Sequence, residues 1–95
     1  MFKRKKGIKL SYFKQGFVYF YCANYKSLSK SKRLSIDRLC EEVGDGDGSA
    51  LRAFLISADE TALSISQKYF MSEKKLFRLR AKFYEEFWNR RIFEK

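Results

Sequence analysis

Residues 72–91 have the sequence SEKKLFRLRAKFYEEFWNRR, the clearest amphipathic helix pattern in the chain. At about 100° per residue, one face is apolar and the opposite side is basic. The apolar face comprises Leu76, Leu79, Phe83 and Phe87, and the basic side comprises Lys74, Lys75, Arg78 and Lys82. A serine oxygen caps free amides and a carboxylate suits the positive end of a helix, so Ser72 and Glu73 predict its start. We therefore expect a helix from Ser72 to about Arg91.

Two shorter helices are predicted immediately before this one. The sequence Ser57-Ala58-Asp59-Glu60 has the form of a capping box and predicts a helix from Ser57 to about Phe70. Residues 49–56 predict another helix, with Leu51, Phe54 and Leu55 directed inward. The glycine- and aspartate-rich stretch 44–49 predicts a connector that caps the helix after it.

The first half of the chain predicts two more helices. Ile36, Leu39, Cys40 and Val43 recur at helical spacing, and we expect their helix to open at Ser31 or Lys32 and to end in a left-handed cap at Gly44. The stretch 26–33 before it predicts a basic connector. Residues 15–28 predict a helix with a stripe of large apolar side chains, although residues 17–21 alone also fit a strand. That stripe comprises Phe17, Phe20, Tyr21, Tyr25 and Leu28.

Length and composition predict one small all-α domain. The chain has 95 residues, 45% of them hydrophobic, and it contains no proline. This size supports one core, and the absence of proline favours helices. We expect a bundle of four to five helices over residues 15–95, preceded by a basic N-terminal arm over residues 1–14.

The chain is strongly basic, with 21 lysines and arginines against 11 acidic side chains and a formal net charge of +10. Residues 1–48 hold 11 basic and 5 acidic side chains, and residues 49–95 hold 10 and 6. Such a charge attracts polyanions, so nucleic acid, an acidic protein or an anionic membrane are the candidate partners. The alternative is a solvated basic surface that keeps an aromatic-rich protein soluble.

Several functional classes are disfavoured by the residues present. The chain has no histidine and only two cysteines, Cys22 and Cys40, which we expect in the core of a cytoplasmic protein rather than in a disulfide or zinc site. A calcium loop starting at Asp45 would need glycine and glutamate where Ala50 and Ile56 stand. No signal peptide or transmembrane span is evident, and no catalytic set emerges. We expect a non-enzymatic protein without cofactor, metal or membrane partner.

Residues 62–81 have the hydrophobic pattern of a helix-turn-helix. Ile65 and Ser66 occupy the buried fourth and small fifth positions. The other apolar positions are occupied by Ala62, Tyr69, Met71, Leu76 and Leu79. The segment resembles the helix-turn-helix superfamily of DNA-binding proteins, especially small regulators of phages and mobile elements and the fourth region of sigma factors. It departs at Phe70, which stands where the turn usually has glycine.

The resemblance implies double-stranded DNA as partner and a role in transcription regulation, with the helix at 72–91 in the major groove. The outward positions of that helix are Ser72, Glu73, Lys74, Phe77, Arg78 and Ala81. Arg78 suits a guanine edge, and Lys74, Lys75 and Lys82 suit phosphates. Further backbone contacts are expected from Lys3, Arg4, Lys5, Lys6, Lys32 and Arg33. The alternatives are a solvated basic face, or a protein-interaction module that docks on an acidic transcription or recombination partner.

Overall fold

The computed structural model describes residues 2–57 and 60–94. These residues form five α-helices, and the described ranges contain no strand. The helices are α1 (Tyr12–Ala23), α2 (Lys30–Val43), α3 (Gly48–Ile56), α4 (Ala62–Lys68) and α5 (Glu73–Asn89). Short 3-10 turns span Tyr25–Ser27 and Ile92–Glu94. The expectation of an all-α bundle of four to five helices is confirmed.

Helix α5 is the central element of the bundle. Its buried face is formed by Leu76, Leu79, Phe83, Tyr84 and Phe87. The larger core cluster joins α5 to α1, α2 and α3, and a smaller one of Ala50, Ile65 and Leu76 joins it to α3 and α4. The Ser72 hydroxyl oxygen accepts a hydrogen bond from the Lys75 amide at 3.0 Å, so the predicted cap is confirmed.

The turn between α2 and α3 depends on close backbone approach. A Cβ atom on Gly44 would lie 2.5 Å from the Cys40 carbonyl oxygen and 2.6 Å from the Gly48 Cα, so only glycine fits. Gly44 itself is right-handed, with φ −76°, and the left-handed residues are Asp45 and Gly46. The prediction of a left-handed cap at Gly44 is therefore wrong, because packing against α3 selects the glycine.

Helix α4 begins later than predicted. The Glu60 amide does donate to the Ser57 hydroxyl at 3.2 Å, as in a capping box, but the helix starts only at Ala62, with Thr61 as its cap. Ala58 and Asp59, which complete the predicted box, lie outside the described residues. The Thr61 hydroxyl caps the helix instead, by accepting from the Ser64 amide at 3.1 Å.

Helix α1 is a helix rather than a strand, but it is placed differently from the prediction. It starts at Tyr12, so the N-terminal segment before it is residues 2–11. Its buried face comprises Gln15, Val18 and Cys22, whereas the predicted stripe at Phe17 and Phe20 is exposed. The helix is apolar nearly all round, so spacing alone cannot identify the inner face.

The N-terminal segment is packed onto α1 and does not extend as a free arm. Phe2 and Ile8 are buried, and Gln15 of α1 is fully buried beneath the segment. The Gln15 side-chain oxygen accepts from the Lys5 amide at 2.8 Å, and its nitrogen donates to the Leu10 carbonyl at 3.0 Å and the Ile8 carbonyl at 3.3 Å. Buried backbone groups need such partners, so one side chain anchors the whole segment.

Replacing Gln15 by methionine keeps the volume but removes these hydrogen bonds. We expect Gln15→Met to lower the free energy of unfolding by about 2–3 kcal/mol, because buried amide and carbonyl groups lose their partners. Urea denaturation monitored by circular dichroism measures the change. Gln67→Met on the exposed side of α4 is the matched control and should change it by no more than about 0.5 kcal/mol. Equal effects of the two variants would contradict the anchoring role.

Both cysteines are buried and free, as predicted. Burial raises the pKa of Cys22 far above its ordinary value and that of Cys40 to about 12. The thiolate is the reactive form, so we expect neither thiol of the native protein to react with Ellman's reagent at mildly alkaline pH. Both should react after unfolding in guanidinium. Rapid labelling of the native chain would contradict this packing.

Candidate nucleic-acid interface

The turn between α4 and α5 has left-handed geometry despite lacking glycine. Phe70 has φ 56° and its side chain is 95% exposed. The Met71 amide donates to the Ser66 carbonyl at 3.0 Å, and the Phe70 amide donates to the Gln67 carbonyl at 3.4 Å. This is the hydrogen-bond pattern of a Schellman cap, which normally places glycine at the left-handed position. The tight turn therefore forms at the cost of backbone strain at Phe70.

The two helices that flank this turn pack as their sequence predicts. Ile65, Ser66, Leu76 and Leu79 are buried. Ala62, Tyr69 and Met71 are half-buried and pack against the same small core. The predicted inward positions of residues 62–81 are confirmed, and they leave the opposite side of α5 facing solvent.

Three cations form an exposed row on that side of α5. Lys74, Arg78 and Lys82 are spaced at i, i+4 and i+8, and none of them forms an ion pair within residues 2–57 and 60–94. Eight residues of helix rise about 12 Å, so the row is about as long as the major groove is wide. We refer to these residues below as the α5 row.

Lys75 was predicted to contact phosphate, but its side chain forms ion pairs with carboxylates of the protein itself. Its ammonium group lies 2.5 Å from a carboxylate oxygen of Asp47 and 3.8 Å from one of Asp45. Asp47 stands at the N-cap position of α3, yet its side chain makes no cap hydrogen bond. The prediction that this loop caps α3 is therefore wrong, because the aspartate pairs with Lys75 and ties the loop to α5.

Two other predicted contacts on α5 have structural roles. The Ser72 hydroxyl is exposed but already caps the helix. The Phe77 ring is 42% exposed and packs edge-on against Phe54, with ring centroids 6.1 Å apart. The Arg80 guanidinium lies about 5 Å from both ring centroids, and burial lowers its pKa. Phe77 is thus packed against Phe54 and Arg80 and is only partly available to a ligand.

The N-terminal cations are divided between solvent and a pocket. Lys3, Arg4 and Lys6 are exposed, as a backbone-contacting role requires. Lys5 is half-buried over the Phe2 and Tyr19 rings and lines a pocket of about 160 Å³ with Arg80. Burial and the nearby Arg80 charge lower the Lys5 pKa. Arg80 lies on nearly the opposite side of α5 from Arg78, so Lys5 approaches α5 away from the α5 row.

Lys32 and Arg33 lie in a helix rather than in the predicted connector. They belong to the first turn of α2, because that helix begins after its cap, Ser29. The Arg33 guanidinium donates a hydrogen bond to the Leu28 carbonyl at 2.9 Å. The loop that pairs with Lys75 follows the other end of α2, about 16 Å further along the axis. Lys32 and Arg33 therefore do not form one continuous basic surface with the α5 row.

The excess positive charge lies in the first 36 residues and is not shared evenly by the two halves of the chain. Residues 1–36 contain ten basic side chains and no acidic one, whereas residues 37–95 contain eleven of each. The signal was present in the sequence, since the first carboxylate is Asp37. The basic N-terminal region is thus the main source of positive potential, and the α5 row lies among nearby carboxylates.

The chain matches no protein-family model, and no match was found among curated proteins or solved structures. The described residues contain no group of three or more metal-binding side chains. No described helix is sufficiently long and apolar to cross a membrane. The candidate interface therefore rests on the geometry of α4, α5 and the basic N-terminal region.

The strain at Phe70 can be measured directly. We expect Phe70→Gly to raise the free energy of unfolding by up to about 1 kcal/mol, because glycine adopts the left-handed conformation readily and the exposed ring buries nothing. Phe70→Ala keeps the Cβ atom and should give no such gain. Urea denaturation of both variants measures the difference. A loss of stability in the glycine variant would show that the ring has a packing role.

Proposed function

We propose that this is a non-enzymatic DNA-binding regulator or accessory protein whose helix-turn-helix, α4 and α5, presents the α5 row to the major groove. The observation that carries the proposal is that row itself. Other cations of α5 and its C-terminal end form ion pairs within the protein: Lys75 pairs with Asp47, and Arg90 pairs with Glu42 and Glu86. Lys74, Arg78 and Lys82 form no ion pair within residues 2–57 and 60–94, although Arg78 and Lys82 line a pocket with Glu42 and Asp45.

The chemistry of the row suits a duplex. The planar guanidinium of Arg78 can donate two hydrogen bonds to a guanine edge, whereas a lysine acts as a flexible point charge on phosphate. Arg78 lies at the middle of the row, with Lys74 and Lys82 one helical turn away on either side. This order supports base reading at the centre and backbone contacts at the two edges of the groove.

The rigidity of the turn also supports the proposal. A recognition helix must hold its side chains in a fixed orientation, and two devices orient α5. The Schellman cap closes the turn before it, and the Lys75 pair with Asp47 fastens its first turn to the α2–α3 loop. Lys75 therefore acts as a positioning residue in this proposal, rather than as a phosphate contact.

Backbone affinity is assigned to the exposed cations of the acid-free N-terminal region. Gln15 anchors the backbone of the segment that carries Lys3, Arg4 and Lys6, so less backbone entropy is lost when these side chains bind. Contacts of this kind carry no sequence information but strengthen binding in a salt-dependent way.

Anisotropy with a labelled duplex of mixed sequence tests the proposal. We expect Arg78→Ala to weaken duplex binding by about 1–3 kcal/mol, and Lys82→Ala, which removes a phosphate contact, to make the decrease of affinity with salt shallower by about one ion. The fold should persist because Arg78 is exposed. The matched control is Arg91→Ala, which removes an equally charged, exposed arginine paired only locally with Glu94.

Comparing the Arg78→Ala and Arg91→Ala variants distinguishes a specific DNA-binding site from general electrostatic attraction. Equal weakening by the Arg78 and Arg91 variants would mean that net charge alone holds the duplex. No duplex binding by the wild-type chain at about 50 mM salt would reject the proposed function outright.

A further inference from the structure

Helix α1 leaves an aromatic surface uncovered. Four of its large side chains are exposed: Phe13 by 83%, Phe20 by 53%, Tyr12 by 46% and Phe17 by 44%. With Phe2, Gly16 and Leu28 they line a groove of about 520 Å³. Small soluble proteins rarely leave a contiguous apolar surface of this kind without a partner.

The groove has walls and a floor. The Phe2 ring, fixed by its contacts with Tyr12 and Tyr19, forms one wall, and Leu28 lies beyond the far end of α1. The floor is at Gly16, between Phe13 and Phe20 on the same helical face. A concave apolar surface with a glycine floor can receive a protruding side chain of another helix.

Gly16 is not required by the packing of the chain itself. A Cβ atom there would meet only the Phe2 ring, at 3.5 Å and 3.7 Å, which is ordinary van der Waals contact. Glycine destabilises the interior of a helix relative to alanine, and φ at Gly16 is not left-handed. The fold would therefore accept alanine at position 16, so the packing of the chain itself does not explain the glycine.

Charge identifies the kind of partner. Every residue that lines the groove lies within residues 1–36, which contain ten basic side chains and no acidic one. Exposed Lys3 and Arg4 follow Phe2 at one end, and exposed Lys26 and Lys30 flank Leu28 at the other. A second copy of the chain would bring two such regions face to face, which like-charge repulsion opposes.

We infer that the α1 groove docks an acidic amphipathic helix of a partner protein, with apolar side chains in the groove and carboxylates on the surrounding cations. This is the helix-in-groove mode, in which apolar anchors recur at i, i+3 or i+4 and i+7. Helix α1 is about 18 Å long, so about three turns of the partner helix would fit along it. The groove is separate from the α5 row and shares only Lys3 and Arg4 with the proposed backbone contacts, so the inference does not depend on duplex binding.

The experiment uses a phage-displayed library of helix-forming peptides of about 12 residues, selected on the immobilised full chain. We expect enriched peptides to combine apolar anchors with Asp or Glu on the flanks. Their affinity, measured by anisotropy, should fall by at least about tenfold for Phe13→Ser, because an aromatic anchor site is lost. Trp88, the single tryptophan, packs on Phe17 and offers a second readout.

The Gly16→Ala variant separates an effect on peptide affinity from an effect on the stability of the fold. This variant should raise the thermal midpoint of the chain yet weaken binding of the same peptides, since the added methyl group contacts the Phe2 ring and makes the groove shallower. Leu34→Ser is the matched control, because Leu34 is exposed on α2 and lies outside the groove. Duplex binding should be unchanged in Phe13→Ser, so failure here is distinguishable from failure of the proposed function.

Four results would overturn the inference. The first is enrichment of peptides without acidic flanks, and the second is equal peptide binding to the wild type and to Phe13→Ser. The third is a wild-type dimer, seen in sedimentation equilibrium, that Phe13→Ser dissociates. The fourth is Phe13-dependent binding to phosphatidylserine-containing vesicles with which the peptides do not compete. The third would assign the groove to a second copy, and the fourth to a membrane surface.

Discussion

Burial of one face of α5 is the interaction on which the rest of the structure depends. Leu79, Phe83 and Phe87 are almost fully buried and bring α1, α2 and α3 around one helix. Leu76 does the same for α3 and α4 in the smaller core. A helix that buries one face so completely must direct its remaining side chains outward. The α5 row is exposed for this reason.

Charge and apolar surface are distributed unevenly around this core. The later part of the chain contains equal numbers of basic and acidic side chains, and several of them pair with each other, as Arg52 does with Asp37 at 2.8 Å. The first 36 residues have no carboxylate with which to pair. They also contain the exposed aromatic face of α1. Two surfaces of different chemistry therefore project from one small bundle, one cationic and narrow, the other aromatic and bordered by cations.

The sequence predictions were accurate where the local hydrophobic and capping pattern was distinct and wrong where it was not. Helix α5 was predicted nearly to its ends, because its caps and its two faces are distinct. Helix α1 was misjudged, because tyrosine, phenylalanine, valine and cysteine surround it and the spacing fits more than one face. Its inner face includes Gln15, a polar residue that no hydrophobic pattern would select. Lys75 was misassigned because its partner, Asp47, is 28 positions earlier in the chain.

The sequence by itself determined the helical class, the cap at Ser72, the buried positions of α5 and the basic character of the first 36 residues. Each of these depends on neighbours within a few positions of the chain, or on composition. Tertiary structure alone decided which face of α1 is buried, which cations pair with carboxylates, and where the backbone bends into left-handed conformations. Those outcomes depend on contacts between separate elements, as at position 44, where a Cβ atom would clash with the Gly48 Cα of α3 as well as with the Cys40 carbonyl oxygen of α2.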